Sequence, residues 1–159
     1  MVSKTRSLGV WMNGIQVGEL TKSATGALAF TYSLNWLETK GARPVSLSMR
    51  LRRQPYIGEV VFNYFDNLLP DNPLIRERIQ ARFEAVTSLP FDMLAAIGMG
   101  RVGALQIIPS DESPPDVRCI KGAPPTDGQF VRLLNNYRNA PLGMNAENGD
   151  DSRISVERA

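Results

Sequence analysis

The 159-residue sequence contains no histidine at all. That absence removes histidine-ligated zinc, Ser-His-Asp triads and imidazole general bases, and with them most hydrolytic chemistries. Cysteine is nearly missing too, with Cys119 standing alone. A single thiol cannot build an intramolecular disulfide framework and suits a reducing compartment. Arg118 and Lys121 lie beside it, but without an imidazole partner Cys119 is not expected to act as a nucleophile. No stretch approaches the ~18 consecutive apolar residues that a membrane span needs. The opening MVSKTRSLGVWMNG has no apolar run behind its charges, so it does not read as a secretory signal. The expectation is a soluble, cytoplasmic protein with no membrane partner.

Charge of one sign is also lacking. Eighteen basic and 16 acidic residues leave a formal net charge of +2, too small to mark a nucleic-acid binder by itself. The hydrophobic share of 43% and charged share of 21% are ordinary for a globular chain. The length suits one compact domain with a modest appendage.

What is present begins with LGVWMNGIQVGEL, where Asn13-Gly14 separates two strand-like runs. Both residues tolerate the positive φ of a type I′ turn, so residues 8–12 and 15–20 should pair as a hairpin. Further strands are expected at 28–32 and at 45–49, where Val45, Leu47 and Met49 alternate with Ser46 and Ser48. From Gly58 the period becomes helical: Val61, Phe65, Leu68 and Leu69 share a face until Pro70 stops the run. Asn72-Pro73 has the form of an N-cap followed by proline at the first helical position. The helix it opens should bury Ile75, Ile79, Phe83 and Val86 and turn Arg76, Glu77 and Gln80 to water. A short helix near 91–97, a glycine-rich turn and a strand from Ala104 to Ile108, ended by Pro109, follow.

Residues 110–125 hold Pro114-Pro115 and Pro124-Pro125 with little periodicity, the pattern of a linker or loop. Thr126 and Gln129 then have capping-box spacing ahead of Phe130, Leu133, Leu134 and Tyr137. The expected fold class is α+β, a small, mainly antiparallel sheet with packed helices, and a C-terminal helical segment that begins a second unit. The expected division is 1–109, 110–125 and 126–159.

Candidate chemistry is sparse. GMGRVG at 98–103 matches G-x-G-x-x-G, but a dinucleotide site needs a strand before the motif and a helix after it. Here the order is inverted, and a helix C-cap with a tight turn explains the glycines better. Arg50, Arg52, Arg53, Arg76, Arg78 and Arg82 could form a phosphate-binding face. Interspersed Glu59, Glu77 and Glu84 favour a solvated or ion-paired surface. Asp66 and Asp71 suit turns or caps, and with Asp150 and Asp151 they show no acid/base pairing. Trp11 and Trp36 could anchor an interface or pack in the core.

The run VFNYFDNLLPDNPLIRERI, residues 61–79, resembles the N-terminal subdomain of HipA-type serine/threonine kinases, the toxin half of bacterial HipBA modules. VWMNGIQVGELTK looks like that family's first hairpin. ARPVSLSM, PFDMLAAIG, VGALQIIP, PLGM at 141–144 and RISV at 153–156 follow in the family's order. The resemblance implies that a glycine-containing phosphate loop, a strand lysine and catalytic and magnesium-binding aspartates should come after RISV. The chain runs Val156-Glu157-Arg158-Ala159 instead, so the resemblance implies no catalysis by this chain and no cofactor, since ATP and magnesium would need the missing kinase lobe. Ser155 matches a serine that such kinases autophosphorylate as an inactivating switch.

Two readings from different classes follow from the resemblance. In one, the chain is an interaction module that docks to or restrains a HipA-type kinase and takes part in toxin–antitoxin assembly with a HipB-type antitoxin. Some relatives of these modules encode the equivalent piece as a separate small protein. Self-association is possible in this reading, and DNA is met only indirectly through the antitoxin. Trp36, Tyr64, Phe65, Asn67, Leu68, Leu69 and Pro70 are then the docking candidates, with burial in the core as their competing fate. In the other, the chain is a truncated fragment of an ATP-dependent kinase toxin of growth arrest and persistence. Direct DNA contact through the arginines is a third, weaker reading.

Overall fold

The computed structural model describes residues 6–97, the backbone of 101–102, and residues 104–112, 126–131 and 135. Cys119, Leu133, Leu134, Tyr137, Asp150, Asp151, Ser155 and the glycines 98, 100 and 103 lie outside the described residues, as do all of 113–125 and most of the expected C-terminal unit.

The hairpin forms from β1 (Arg6–Met12) and β2 (Ile15–Lys22), reaching two residues further than expected at its open end. Asn13 and Gly14 take φ of 52° and 79°, the doubly positive turn that matches the right-handed twist of the strands. The partners run Leu8↔Leu20 and Val10↔Gly18, then slip by one residue so that Trp11 meets Gln16. The slip leaves Val17 out of the ladder as a bulge. Gly18 is required beside it. A Cβ there would lie 2.4 Å from the Thr31 carbonyl oxygen and 2.8 Å from the Phe30 ring.

Strand β3 (Leu28–Tyr32) extends the hairpin, and β4 (Tyr56–Ile57) closes that edge. The other edge is made by β5 (Arg101–Val102) and β6 (Leu105–Pro109), with β6 returning to pair with β1 through Val10↔Ile107 and Met12↔Leu105. The result is a six-stranded antiparallel sheet in the order β4-β3-β2-β1-β6-β5. Strand alternation puts Leu8, Val10, Leu20, Phe30, Leu105 and Ile107 on one buried face. Helix α2 (Glu59–Asp66) lies on β3, and α4 (Pro90–Ile97) lies on β6 and against α2. Helix α3 (Pro73–Phe83) packs on α4. The α+β expectation holds.

Four expectations need correction. Residues 45–49 are not a strand: Ser46 and Met49 make an isolated bridge around a tight turn, with the Met49 amide on the Ser46 carbonyl at 3.1 Å. Helix α2 stops at Asp66 with Asn67 as its cap, so Leu68 and Leu69 sit in tight turns closed onto the Phe65 and Asp66 carbonyls. Leu69 is buried all the same. Val86 is 75% exposed rather than core, because Glu84 turns left-handed (φ 54°) and ends α3 before it. Arg76 does not point to water; it is an ion-pair partner described below.

The start of α3 follows expectation. Asn72 caps it by accepting the Leu74 amide at 2.9 Å, with Pro73 just inside. Ile79 is buried while Ile75 and Phe83 pack at the margin of the core. A five-residue helix, α1 (Leu34–Glu38), was not expected; Ser33 caps it by accepting the Trp36 amide. Residues 127–131 are helical, and the capping box is in place: the Thr126 amide donates to Gln129 Oε1 at 2.9 Å and the Gln129 amide to Thr126 Oγ1 at 3.4 Å.

Candidate interaction surface

Between α1 and β4 the chain leaves the sheet for a long excursion held by aromatic side chains. Trp36 Nε1 donates to the Arg43 carbonyl at 3.1 Å. The Tyr32 hydroxyl accepts the Val45 amide at 2.9 Å and donates to the Met49 carbonyl, while Tyr56 donates to the Arg50 carbonyl at 2.8 Å. Met49 is buried beneath this clamp. Four backbone groups of a segment outside the sheet, at Arg43, Val45, Met49 and Arg50, are thereby satisfied from the core side, which fixes the loop. At its tip the Ser46 and Ser48 hydroxyls bond each other at 2.8 Å, and Leu47 between them is 90% exposed.

Two phenols, Tyr32 in this clamp and Tyr64 on α2, are held neutral. Burial raises the Tyr32 phenol, partly countered by the Val45 amide, and burial with Tyr32 nearby pushes Tyr64 up to about 12. Folding thus favours the protonated phenol. The stability this gives is complete below the ordinary tyrosine value of about 10 and is lost as pH rises through about 12. Phenolate absorbance should therefore show a late class, Tyr32 and Tyr64, that ionises together with alkaline unfolding. Four tyrosines ionising together near pH 10 in a still-folded protein would contradict it.

Most of the sequence-predicted docking residues are buried or half-buried. Phe65 is fully buried, packed edge-on to Tyr64 at 5.1 Å and tilted against Phe30 at 5.9 Å. Trp36 and Leu69 are buried, Tyr64, Leu68 and Pro70 are half-buried, and Asn67 is exposed. The turn that carries them is braced by Arg76, whose Nη1 meets Asp66 Oδ1 at 2.7 Å, whose Nε donates to the Pro70 carbonyl at 2.6 Å, and whose Nη2 donates to the Asp66 carbonyl at 3.2 Å. One guanidinium thus ties the end of α2, the turn and α3 together. Asp66 serves the turn with its carbonyl, as expected, and the Arg76 brace with its carboxylate.

A second ionic cluster joins the hairpin to α4. Asp92, nearly fully buried, takes Lys22 Nζ at 2.8 Å, Arg6 Nη1 at 3.0 Å and Thr87 Oγ1 at 2.7 Å. Burial pushes its carboxyl up, but the Lys22 and Thr87 hydrogen bonds and the Lys22 and Arg6 charges outweigh that and hold it below the ordinary value. Among the described residues, no group of three or more His, Cys, Asp or Glu could hold a metal ion.

Exposed apolar side chains are the feature that sequence reasoning missed. Leu47, Leu51, Ile57 and Phe62 belong to the excursion or to the β4–α2 segment that follows it. The arginines of the basic cluster divide. Arg50, Arg52 and Arg53 are exposed on the excursion, Arg78 and Arg82 are exposed on α3, and Arg76 is taken by Asp66. Arg52 stacks on the Tyr56 ring at 3.6 Å and donates to the Gln54 and Pro55 carbonyls. Around the glycine motif, α4 precedes, β5 lies within it and β6 follows, the reverse of the order a dinucleotide site needs. No helix is long and apolar enough to cross a membrane among the described residues.

Comparison with known proteins agrees with this architecture. Over 140 residues the chain is 30% identical to a Sinorhizobium fredii protein named "Putative kinase Y4mE", covering 86% of this chain and 33% of that one. Its fold matches a chain from the Shewanella oneidensis toxin–antitoxin complex of HipA, HipB and operator DNA, with a TM-score of 0.61 at 20% identity over 95% of this chain and 33% of that chain. The chain thus spans about a third of the length of both. Residues 8–108, which run from the first hairpin through the last strand of the sheet, match the HipA N-terminal domain, and the chain belongs to that family.

Proposed function

We propose that this chain is a non-catalytic docking module of a HipA-type toxin–antitoxin system, which binds and restrains a HipA-type kinase and takes part in assembly with a HipB-type antitoxin. The observation that carries this reading is the clamped excursion. It presents exposed apolar and cationic side chains on a backbone already fixed by Trp36, Tyr32 and Tyr56. Apolar anchors on a rigid support lose little entropy on binding, which is what a docking surface needs. The state of Asp92 supports a non-catalytic role. Both its oxygens are engaged by Arg6, Lys22 and Thr87, so it is occupied in holding the fold. ATP and magnesium would belong to the kinase partner.

A second reading is favoured by the share of its relatives that the chain spans, about 33%. In that case the same surface docks in cis against the kinase lobes of one longer polypeptide. The test is to mix the chain with a HipA-type kinase that naturally lacks this domain. Co-elution on gel filtration with reduced phosphorylation is the expected result. Unchanged activity with no complex would overturn the docking reading. ATP titrated into the chain alone by calorimetry should give no heat, and clear magnesium-dependent binding would overturn the non-catalytic assignment.

A further inference from the structure

Positive charge is concentrated on the clamped excursion to a degree that the whole-chain balance hides. Residues 39–58 contain Lys40, Arg43, Arg50, Arg52 and Arg53 and no aspartate or glutamate. The rest of the chain holds 13 basic and 16 acidic residues, so it is net acidic while the excursion is strongly basic. Among the described residues, the three salt bridges involve none of these five cations. Arg52 is immobilised on Tyr56, and Lys40, Arg43, Arg50 and Arg53 are exposed on either side of the Ser46–Met49 turn.

The tip of the turn is apolar. Leu47 is 90% exposed, and Leu51 is partly exposed beyond the turn. Ser46 and Ser48 flank Leu47, and their hydroxyls satisfy each other and the turn itself through the Ser48 amide on Ser46 Oγ at 3.2 Å. Leu47 is therefore offered by a turn closed at its base and pinned on both sides by Tyr32, with no polar group of its own. A phosphate backbone would use the cations and leave Leu47 in water. An apolar socket rimmed by carboxylates uses both.

Resting on the docking function proposed above, we infer that the Ser46–Met49 turn is the anchor of that contact. Leu47 seats in an apolar socket on the kinase, and Arg43, Arg50 and Arg53 meet acidic side chains around its rim. The cations steer the encounter and set its salt dependence, while the buried leucine sets the dissociation rate.

The experiment titrates the full chain against a HipA-type kinase that naturally lacks this domain, using Leu47→Asp, the double charge reversal Arg50→Glu/Arg53→Glu, and Leu74→Asp as a control on the exposed part of α3. Circular dichroism confirms folding of each. Leu47→Asp should weaken binding about 30-fold through faster dissociation. The charge reversal should slow association and flatten its salt dependence, and Leu74→Asp should bind as the wild type does. Wild-type binding that Leu47→Asp leaves intact would overturn the anchor while the docking function stands. Absence of wild-type binding would overturn the docking function, and the anchor with it. A labelled 20-base-pair DNA duplex is the third arm. Binding to it that falls steeply with salt and ignores Leu47→Asp would reassign the excursion to nucleic acid and overturn the anchor.

Discussion

Replacing Asp92 with alanine should cost about 3 kcal/mol of folding stability, read as a lower urea midpoint at neutral pH. Arg6 and Lys22 face each other at the open end of the hairpin, and both lie over the Phe91 ring, at 5.5 and 5.7 Å. Asp92 sits in the first turn of α4 and is the carboxylate that lets these two cations converge. Its removal leaves Lys22, whose side chain is only 20% exposed, beside a like charge and without its partner. Arg6 is half-exposed and recovers hydration, which keeps the loss at the lower end for a broken buried pair. The pH dependence separates this account from simple repacking. The carboxyl is held below 3.8 in the fold, so its contribution is present above that value and lost as pH falls below it. Wild type and variant should converge in acid. A loss under about 1 kcal/mol at neutral pH, or a gap that persists in acid, would contradict the role given to Asp92.

Where local chemistry decides the backbone, the sequence is readable. Asn13-Gly14 dictates its turn, Asn72-Pro73 its helix start and Thr126/Gln129 its capping box, because each depends on groups a few residues apart. The 45–49 segment misleads for the opposite reason. Its Val-Ser-Leu-Ser-Met alternation is that of a half-buried strand, but its conformation is set by the Tyr32 hydroxyl, which reaches Val45 and Met49 from β3, more than ten residues away in the chain. The end of α3 misleads too. Glu84 supplies a left-handed cap without being glycine or asparagine, so the sequence carries no stop signal there and Val86 reads as one more buried turn. Arg76 reads as solvent-facing because its partner, Asp66, is ten residues away across a turn. Strands of two residues, such as β4 and β5, are too short to show a period.

The candidate surface was the least legible part, and physically this is one problem. An aromatic helix such as VFNYFD reads identically whether its rings meet a partner or a sheet. Only the sheet's placement decides, and here α2 turns Val61 and Phe65 onto β3 while leaving Phe62 partly exposed. The signal that could have drawn attention to the excursion was local charge: five cations and no carboxylate in residues 39–58, masked in the sum by the acidic remainder. A leucine between two serines inside such a run is a stronger pointer to a surface than an aromatic inside an amphipathic helix.

The largest expected effect concerns the residue on which those two views differ. Phe65→Ala should destabilise the fold by about 3–5 kcal/mol, the range for emptying a buried phenylalanine site, and lower the melting temperature on the order of 10–20 °C. Phe65 has no exposed surface and fills the space between α2 and β3, against both Phe30 and Tyr64. Neighbouring rings cannot collapse into the gap easily, because Tyr32, which packs edge-on to Phe30 at 4.9 Å, is fixed by its own hydrogen bonds to the excursion. Loss of Phe65 should therefore loosen the clamp as well as the core, and amide exchange should quicken at Val45, whose N–H is held by Tyr32. A docking residue would behave differently. Its alanine variant would melt like the wild type and lose only affinity. Thermal melting tests the core assignment: an unchanged transition would contradict it, whereas a fall of the expected size places Phe65 in the core that holds the Leu47 turn in position.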